Sequence, residues 1–148
     1  LGGRCIAESD AMDHVAGFAC FNDASVRDWQ LHTSQFAPGK NFPGTGPLGP
    51  ELVTPDEIAD LSAVRVQSVL NGEVMQDATV ADMIFSIPRI IAYVSSFTTL
   101  SPGDVIATGT PGGVGAKRTP PVWMKPGDEI EVRISGVGVL TIRIKAEV

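Results

Sequence analysis

The sequence predicts a strand-rich α+β fold, and three observations carry that reading. Near the end of the chain, Ile130, Val132 and Ile134 alternate with Glu131, Arg133 and Ser135. Leu140, Ile142 and Ile144 then alternate with Thr141, Arg143 and Lys145, the period-two pattern of an antiparallel hairpin with one wet face. In the middle, Val64 to Leu70 and Glu73 to Gln76 flank Asn71-Gly72, the dipeptide that tolerates the positive φ angles of a type I′ turn. Helical patterns are short and out of strict alternation with strands, which disfavours a doubly wound parallel sheet.

Taken in order, Glu8 to His14 carries helix formers and an early acidic bias, with Ser9 as the cap, so a short helix is expected there. Val15 to Phe21 is a short apolar run ending in turn formers, the pattern of a buried strand. Residues 36 to 50 hold four prolines and four glycines, which predicts a long ordered loop with no helix in it. A short strand at Leu52 to Thr54 and a capped acidic turn at Thr54 to Glu57 follow. Ser86 opens a helix in which Ile87, Ile90, Ile91, Val94 and Phe97 share one face and pack on a core. Pro102-Gly103-Asp104 and Pro126-Gly127-Asp128 place Pro-Gly where a type II turn wants it, each leading into a strand, the first over Asp104 to Thr108.

Length and charge bound the function. One compact domain is the default for 148 residues. A net charge of −6, without a basic run, argues against nucleic acid as a partner. No apolar stretch approaches the roughly 18 residues of a membrane span, and no leader pattern opens the chain. Cys5 and Cys20 lack CxxC spacing and are expected as reduced core residues, which favours a cytoplasmic location. The chain starts at Leu1-Gly2-Gly3, which resembles the exit of an element, so sequence upstream is expected.

Chemistry concentrates in Asn22-Asp23-Ala24-Ser25-Val26-Arg27-Asp28-Trp29-Gln30, at the end of the first strand, where rigid backbone can present polar groups to a cavity. Asp23 offers a hard oxygen suited to Mg²⁺, yet one carboxylate is not a site, and Asp28, Asp77 and Asp82 are companions by residue type alone. His14 and His32 are far apart and do not suggest zinc. Gly109 to Gly115 lacks the Lys-Ser/Thr of a phosphate loop; Thr110 is left as either a turn residue or a small-ligand contact. Lys40, the lone cation of its loop, is either a solvated surface group or a counter-charge for a carboxylate or enolate.

Six ordered blocks together resemble the catalytic domain of the fumarylacetoacetate hydrolase family. They are Gly17-Phe18 with Asn22 to Gln30; Gly39-Lys40-Asn41-Phe42; Gly46 to Pro50; Asn71-Gly72-Glu73; Asp82 to Phe85; and Pro102 to Pro111. The resemblance implies a mixed β-roll, usually a homodimer, that binds Mg²⁺ or Mn²⁺ through a Glu-x-Glu pair and an aspartate. By position, Asp23 matches the metal aspartate, Arg27 and Lys40 the bracing arginine and active-site lysine, and Gln30 and Thr110 the substrate contacts. The implied activity is metal-dependent C–C hydrolysis or decarboxylation of a small 2-oxo or 1,3-diketo acid, acylpyruvate-like, of the kind met in aromatic catabolism. An isomerase or dehydratase on the same scaffold is the alternative, and a metal-poor, non-catalytic oligomerisation fragment the alternative from another class. The Glu-x-Glu pair and the lid base are absent from the sequence; Glu8 and Asp10 have the spacing but the wrong place. The chain therefore looks like such a domain, residues 1–148, lacking its N-terminal part.

Overall fold

A computed structural model describes residues 1–146. Two antiparallel sheets organise the molecule: a ribbon of β1 (Phe18–Phe21) and β2 (Leu48–Val53), and a four-stranded sheet in the order β4-β3-β5-β6. The latter comprises β3 (Arg65–Leu70), β4 (Glu73–Thr79), β5 (Glu129–Ile134) and β6 (Gly138–Arg143). Among the described residues, helices are limited to a single turn, α1 (Arg27–Gln30), a longer α2 (Ile87–Phe97), and scattered 3-10 turns. The strand-rich α+β expectation holds.

Both predicted hairpins form for the predicted reasons. Asn71 and Gly72 have φ of 50° and 86°, so the β3–β4 turn has the positive-φ pair that its sequence favours. At the end, Ile130 and Val132 are buried and Arg133 exposed, so the alternation sorts its faces. Gly103 and Gly127, at φ of 96° and 95°, turn both Pro-Gly-Asp segments. In each, the aspartate accepts from the backbone N–H three residues earlier: Asp104 from Ser101 at 2.8 Å and Asp128 from Lys125 at 2.9 Å.

Several expectations are corrected. The helix over Glu8 to His14 shrinks to a 3-10 turn at Ala11–His14, because Ser9 donates to Asp10 at 2.7 Å instead of capping, and seven residues nucleate an α-helix poorly. The breaker-rich loop is shorter than predicted: Ala37–Gly39 forms a 3-10 turn and β2 begins at Leu48, with Pro50 tolerated because each strand of a two-stranded ribbon has a free edge. Asp104 to Thr108 carries no strand pairing among the described residues, since a strand pattern cannot supply the partner it needs. Cys5 is exposed and at φ of 53°, whereas Cys20 is fully buried, with burial pushing its thiol pKa up.

Two cores result. Cys20, Val53, Val132 and Val137 join the ribbon to the β5–β6 hairpin. Ile6, Ala11 and Ile91 join α2 to the N-terminal segment, where the buried Ser95 hydroxyl accepts from the Ile6 N–H at 3.0 Å. The predicted α2 stripe holds at Ile87, Ile90, Ile91 and Val94, but Phe97 stays exposed and stacks edge-on with Tyr93. The ribbon strand β1 is three residues shorter than predicted, and Gly17 before it abuts β2: a Cβ there would lie 2.7 Å from the Val53 carbonyl oxygen. No helix among the described residues is long and apolar enough to cross a membrane.

Candidate active site

The polar stretch after β1 and the Lys40 loop are held together mainly by backbone. The Val26 N–H donates to the Gly39 carbonyl at 2.9 Å, and Gly39 lies so close to α1 that a Cβ would sit 2.6 Å from the Gln30 backbone nitrogen and Cα. Beyond it, Phe42 meets Trp29 edge-to-face at 5.5 Å, and Asn41 donates to the Ala37 carbonyl at 2.8 Å. Lys40 is thus clamped between two anchored points. Its Nζ lies 2.7 Å from Asp23 Oδ2, with the side chains 26% and 47% exposed. A pair that exposed contributes only about 0–1 kcal/mol, so the docked loop, rather than the ion pair, places the lysine.

Arg27 and Gln30 form the second half of the cluster. Arg27 Nη1 donates to Gln30 Oε1, Gln30 is buried, and Arg27 Nε is buried without an acceptor among the described residues. A brace from Arg27 onto Asp23, the expected arrangement, is not what forms: Lys40 takes Asp23 and Arg27 takes Gln30. The reason is geometric, since both Arg27 and Gln30 belong to the one-turn helix α1 at a spacing of three, where side chains are neighbours.

Thr110 is held elsewhere, on β4, where Gln76 Nε2 donates to its Oγ1 at 2.8 Å and to the Pro111 carbonyl at 2.7 Å. Gln76 and Arg118, which pins the Gly113 carbonyl at 3.0 Å, were not foreseen as site-related residues; Arg118 has only its place just after the glycine-rich loop as a signal, and Gln76 has none, because it lies 34 residues before Thr110 in the chain.

Of the carboxylates named as companions of Asp23, Asp77 and Asp82 have other partners. Asp77 binds Arg65, with Nε donating at 2.6 Å, and this hydrogen bond holds its pKa below the usual carboxylate range. Asp82 caps the turn at Thr79, and Glu8 and Asp10 are engaged by Arg89 and Ser9. Among the described residues no three His, Cys, Asp or Glu side chains group to hold a metal ion. Asp23, hard and half-exposed, fits a divalent cation as one ligand of a set that these residues do not complete. A cleft of about 520 Å³ between β2 and the β5–β6 turn is lined by Glu51, Glu57, Arg65 and Arg133 but by none of the five candidates. Its arginines are paired with Asp77 and Glu131.

Comparison with known proteins identifies the family. Residues 2–145 match the family described as fumarylacetoacetate (FAA) hydrolase, C-terminal. The chain is 46% identical over 144 residues to the mitochondrial oxaloacetate tautomerase FAHD2A of Bos taurus, covering 96% of this chain and 46% of that protein. Among solved structures it superposes on a fumarylacetoacetate hydrolase from Exiguobacterium antarcticum with a TM-score of 0.95 at 41% identity, covering 99% of this chain and 53% of the other. It superposes on maleylpyruvate hydrolase from Sphingobium sp. SYK-6, in complex with manganese(II) ion and pyruvate, with a TM-score of 0.83 at 34% identity, covering 97% and 49%. The chain thus spans about half the length of the relatives it matches. With residues 2–145 matched by the family model, the chain belongs to the fumarylacetoacetate hydrolase family.

Proposed function

We propose that the protein acts on a small 2-oxo or 1,3-diketo acid by stabilising its enolate, with keto–enol tautomerisation as the reaction and C–C hydrolysis or decarboxylation as the second reading. The observation that carries the proposal is the clamped Asp23–Lys40 pair, which sets an ammonium beside a carboxylate at a strand end. The name of the 46% identical relative favours tautomerisation; maleylpyruvate hydrolase, at 34%, supports the second reading.

Tautomerisation moves one proton between carbon and oxygen with no net change; a base must take the carbon proton, a role that none of the five candidates is given, and what these residues supply is stabilisation of charge at the oxygen. Lys40 has three N–H donors and Asp23 takes one, leaving donors for a developing enolate oxygen. Gln30 spends its carbonyl on Arg27, which leaves its amide N–H groups for a substrate carboxylate, while Arg27 Nε is a buried donor able to receive an anionic group. Thr110 supplies a hydroxyl. Mg²⁺ or Mn²⁺, when bound with Asp23 as one ligand, supplies Lewis-acid polarisation of the 2-oxo carbonyl.

The test is enolisation of oxaloacetate by the full-length protein, followed by ultraviolet absorbance, with product analysis for pyruvate. Lys40→Ala is expected to lower kcat by about 10²–10³-fold; undiminished turnover would sink the proposal. Calorimetric titration with Mn²⁺ should register binding to the full-length protein and little to residues 1–148 alone. No binding by the full-length protein would leave the non-catalytic reading. Homodimerisation and a cytoplasmic location remain part of this proposal. The first is supported by the apolar exposure of Ile84, Phe85, Tyr93 and Phe97, and the second is opposed by a relative named as mitochondrial.

A further inference from the structure

We infer that Gln76 is a positioning residue that compels Thr110 to present its hydroxyl as a hydrogen-bond donor to the substrate; this rests on the substrate-contact role proposed above for Thr110.

The inference starts from an irregularity in a hairpin. A two-residue turn at Asn71-Gly72 pairs Leu70 with Glu73 and Val69 with Val74, and would next pair Ser68 with Met75. Instead Ser68 pairs with Gln76, so Met75 is the extra residue of a bulge. Bulges re-aim side chains and recur beside active sites. Here the bulge sets Gln76 directly across from Ser68, whose hydroxyl donates to Gln76 Oε1 at 2.8 Å.

The amide has only one orientation that works. The Pro111 carbonyl, 2.7 Å away, can only accept, so the atom facing it is Nε2, and Ser68 engages the opposite end. The same Nε2 donates to Thr110 Oγ1 at 2.8 Å. Thr110 therefore accepts from Gln76, and its own proton is free for another acceptor. A carboxylate or enolate oxygen is such an acceptor.

The loop is fastened to β4 by further contacts at Met75. Arg118 Nη2 donates to the Met75 carbonyl and Nε to the Gly113 carbonyl, and a Cβ on Gly113 would lie 2.4 Å from the Met75 oxygen. Gln76 is thus left to set hydroxyl direction on a loop that other bonds hold in place.

The experiment uses the full-length protein, oxaloacetate as substrate and pyruvate with Mn²⁺ as the binding probe. Thr110→Val is expected to raise KM about tenfold, the loss of one hydrogen bond to a charged group. Gln76→Glu should match it, because a carboxylate cannot donate and instead captures the threonine proton. In the Thr110→Val background Gln76→Glu should add nothing. The KM ratio of Gln76→Glu to wild type should shrink as pH falls and the introduced carboxyl gains a proton, and this trend should vanish in the Thr110→Val background, whereas a purely structural effect through the Pro111 carbonyl would keep it there. Gln76→Ala is the second variant, expected to raise KM less and without that pH trend, and thermal unfolding checks that all variants fold. A Gln76→Glu protein with KM within twofold of wild type, alongside an impaired Thr110→Val, would overturn the inference alone. An unimpaired Thr110→Val would overturn both it and the assigned role of Thr110.

Discussion

Gly39 carries as much of the site as the lysine that follows it. Its missing side chain lets the loop carbonyl reach the Val26 N–H, and the closeness to Gln30 leaves no room for a methyl group. Gly39→Ala should destabilise the fold by about 1–3 kcal/mol through overpacking, read by urea denaturation. The activity loss should exceed what that destabilisation explains, since a displacement of the Lys40 ammonium by about 1 Å can cost on the order of 100-fold in rate. A variant of normal kcat would show that the clamp does not place the lysine. The resemblance pointed to Lys40 and Asp23 as site residues, but their pairing was not legible, because the two lie in separate loops whose approach depends on that one glycine contact.

At the scale of elements, the molecule links its two hairpins through a turn aspartate. Asp128 is buried, accepts from Asn71 Nδ2 at 3.0 Å and from the Lys125 N–H, and these bonds, the asparagine's first, hold its pKa below the ordinary carboxylate value. Asn71 in return accepts from the Glu129 N–H at 2.9 Å. A carboxyl whose pKa is depressed in the folded state contributes stability that is present above the unfolded value and lost as pH falls through the folded one. Urea midpoints should therefore decline on acidification, and Asp128→Asn should flatten part of that decline, leaving the share due to Asp56, Asp60, Asp77 and Asp82, which are lowered likewise. An unchanged acid slope in the variant would remove Asp128 from the account. The Pro-Gly-Asp echo was visible in the sequence as a turn signal; that its second copy ties β5 to the β3–β4 turn required the structure.

For the whole molecule, apolar surface is the feature to explain. Ile84 is 92% exposed, and Phe85, Tyr93 and Phe97 are each more than 60% exposed. The four lie on or just before one helix and form more than the scattered single contacts usual on a monomer surface. The homodimer proposal predicts twice the chain mass for the full-length protein in sedimentation equilibrium; a single-chain mass at micromolar concentration would exclude it.

Sequence alone determined the strand-rich class, both hairpin turns, the capped helix after Ser86 and the family. Each of these is a local pattern of period, turn residue or motif, read along a few consecutive positions. Tertiary structure decided that Lys40 meets Asp23 while Arg27 meets Gln30, that Cys5 lies outside, and that a bulge at Met75 turns Gln76 toward Thr110. Those outcomes depend on distances between residues remote in the chain, and the one-residue shift that the bulge introduces, which the Asn71-Gly72 turn signal does not specify, is enough to change which side chains meet.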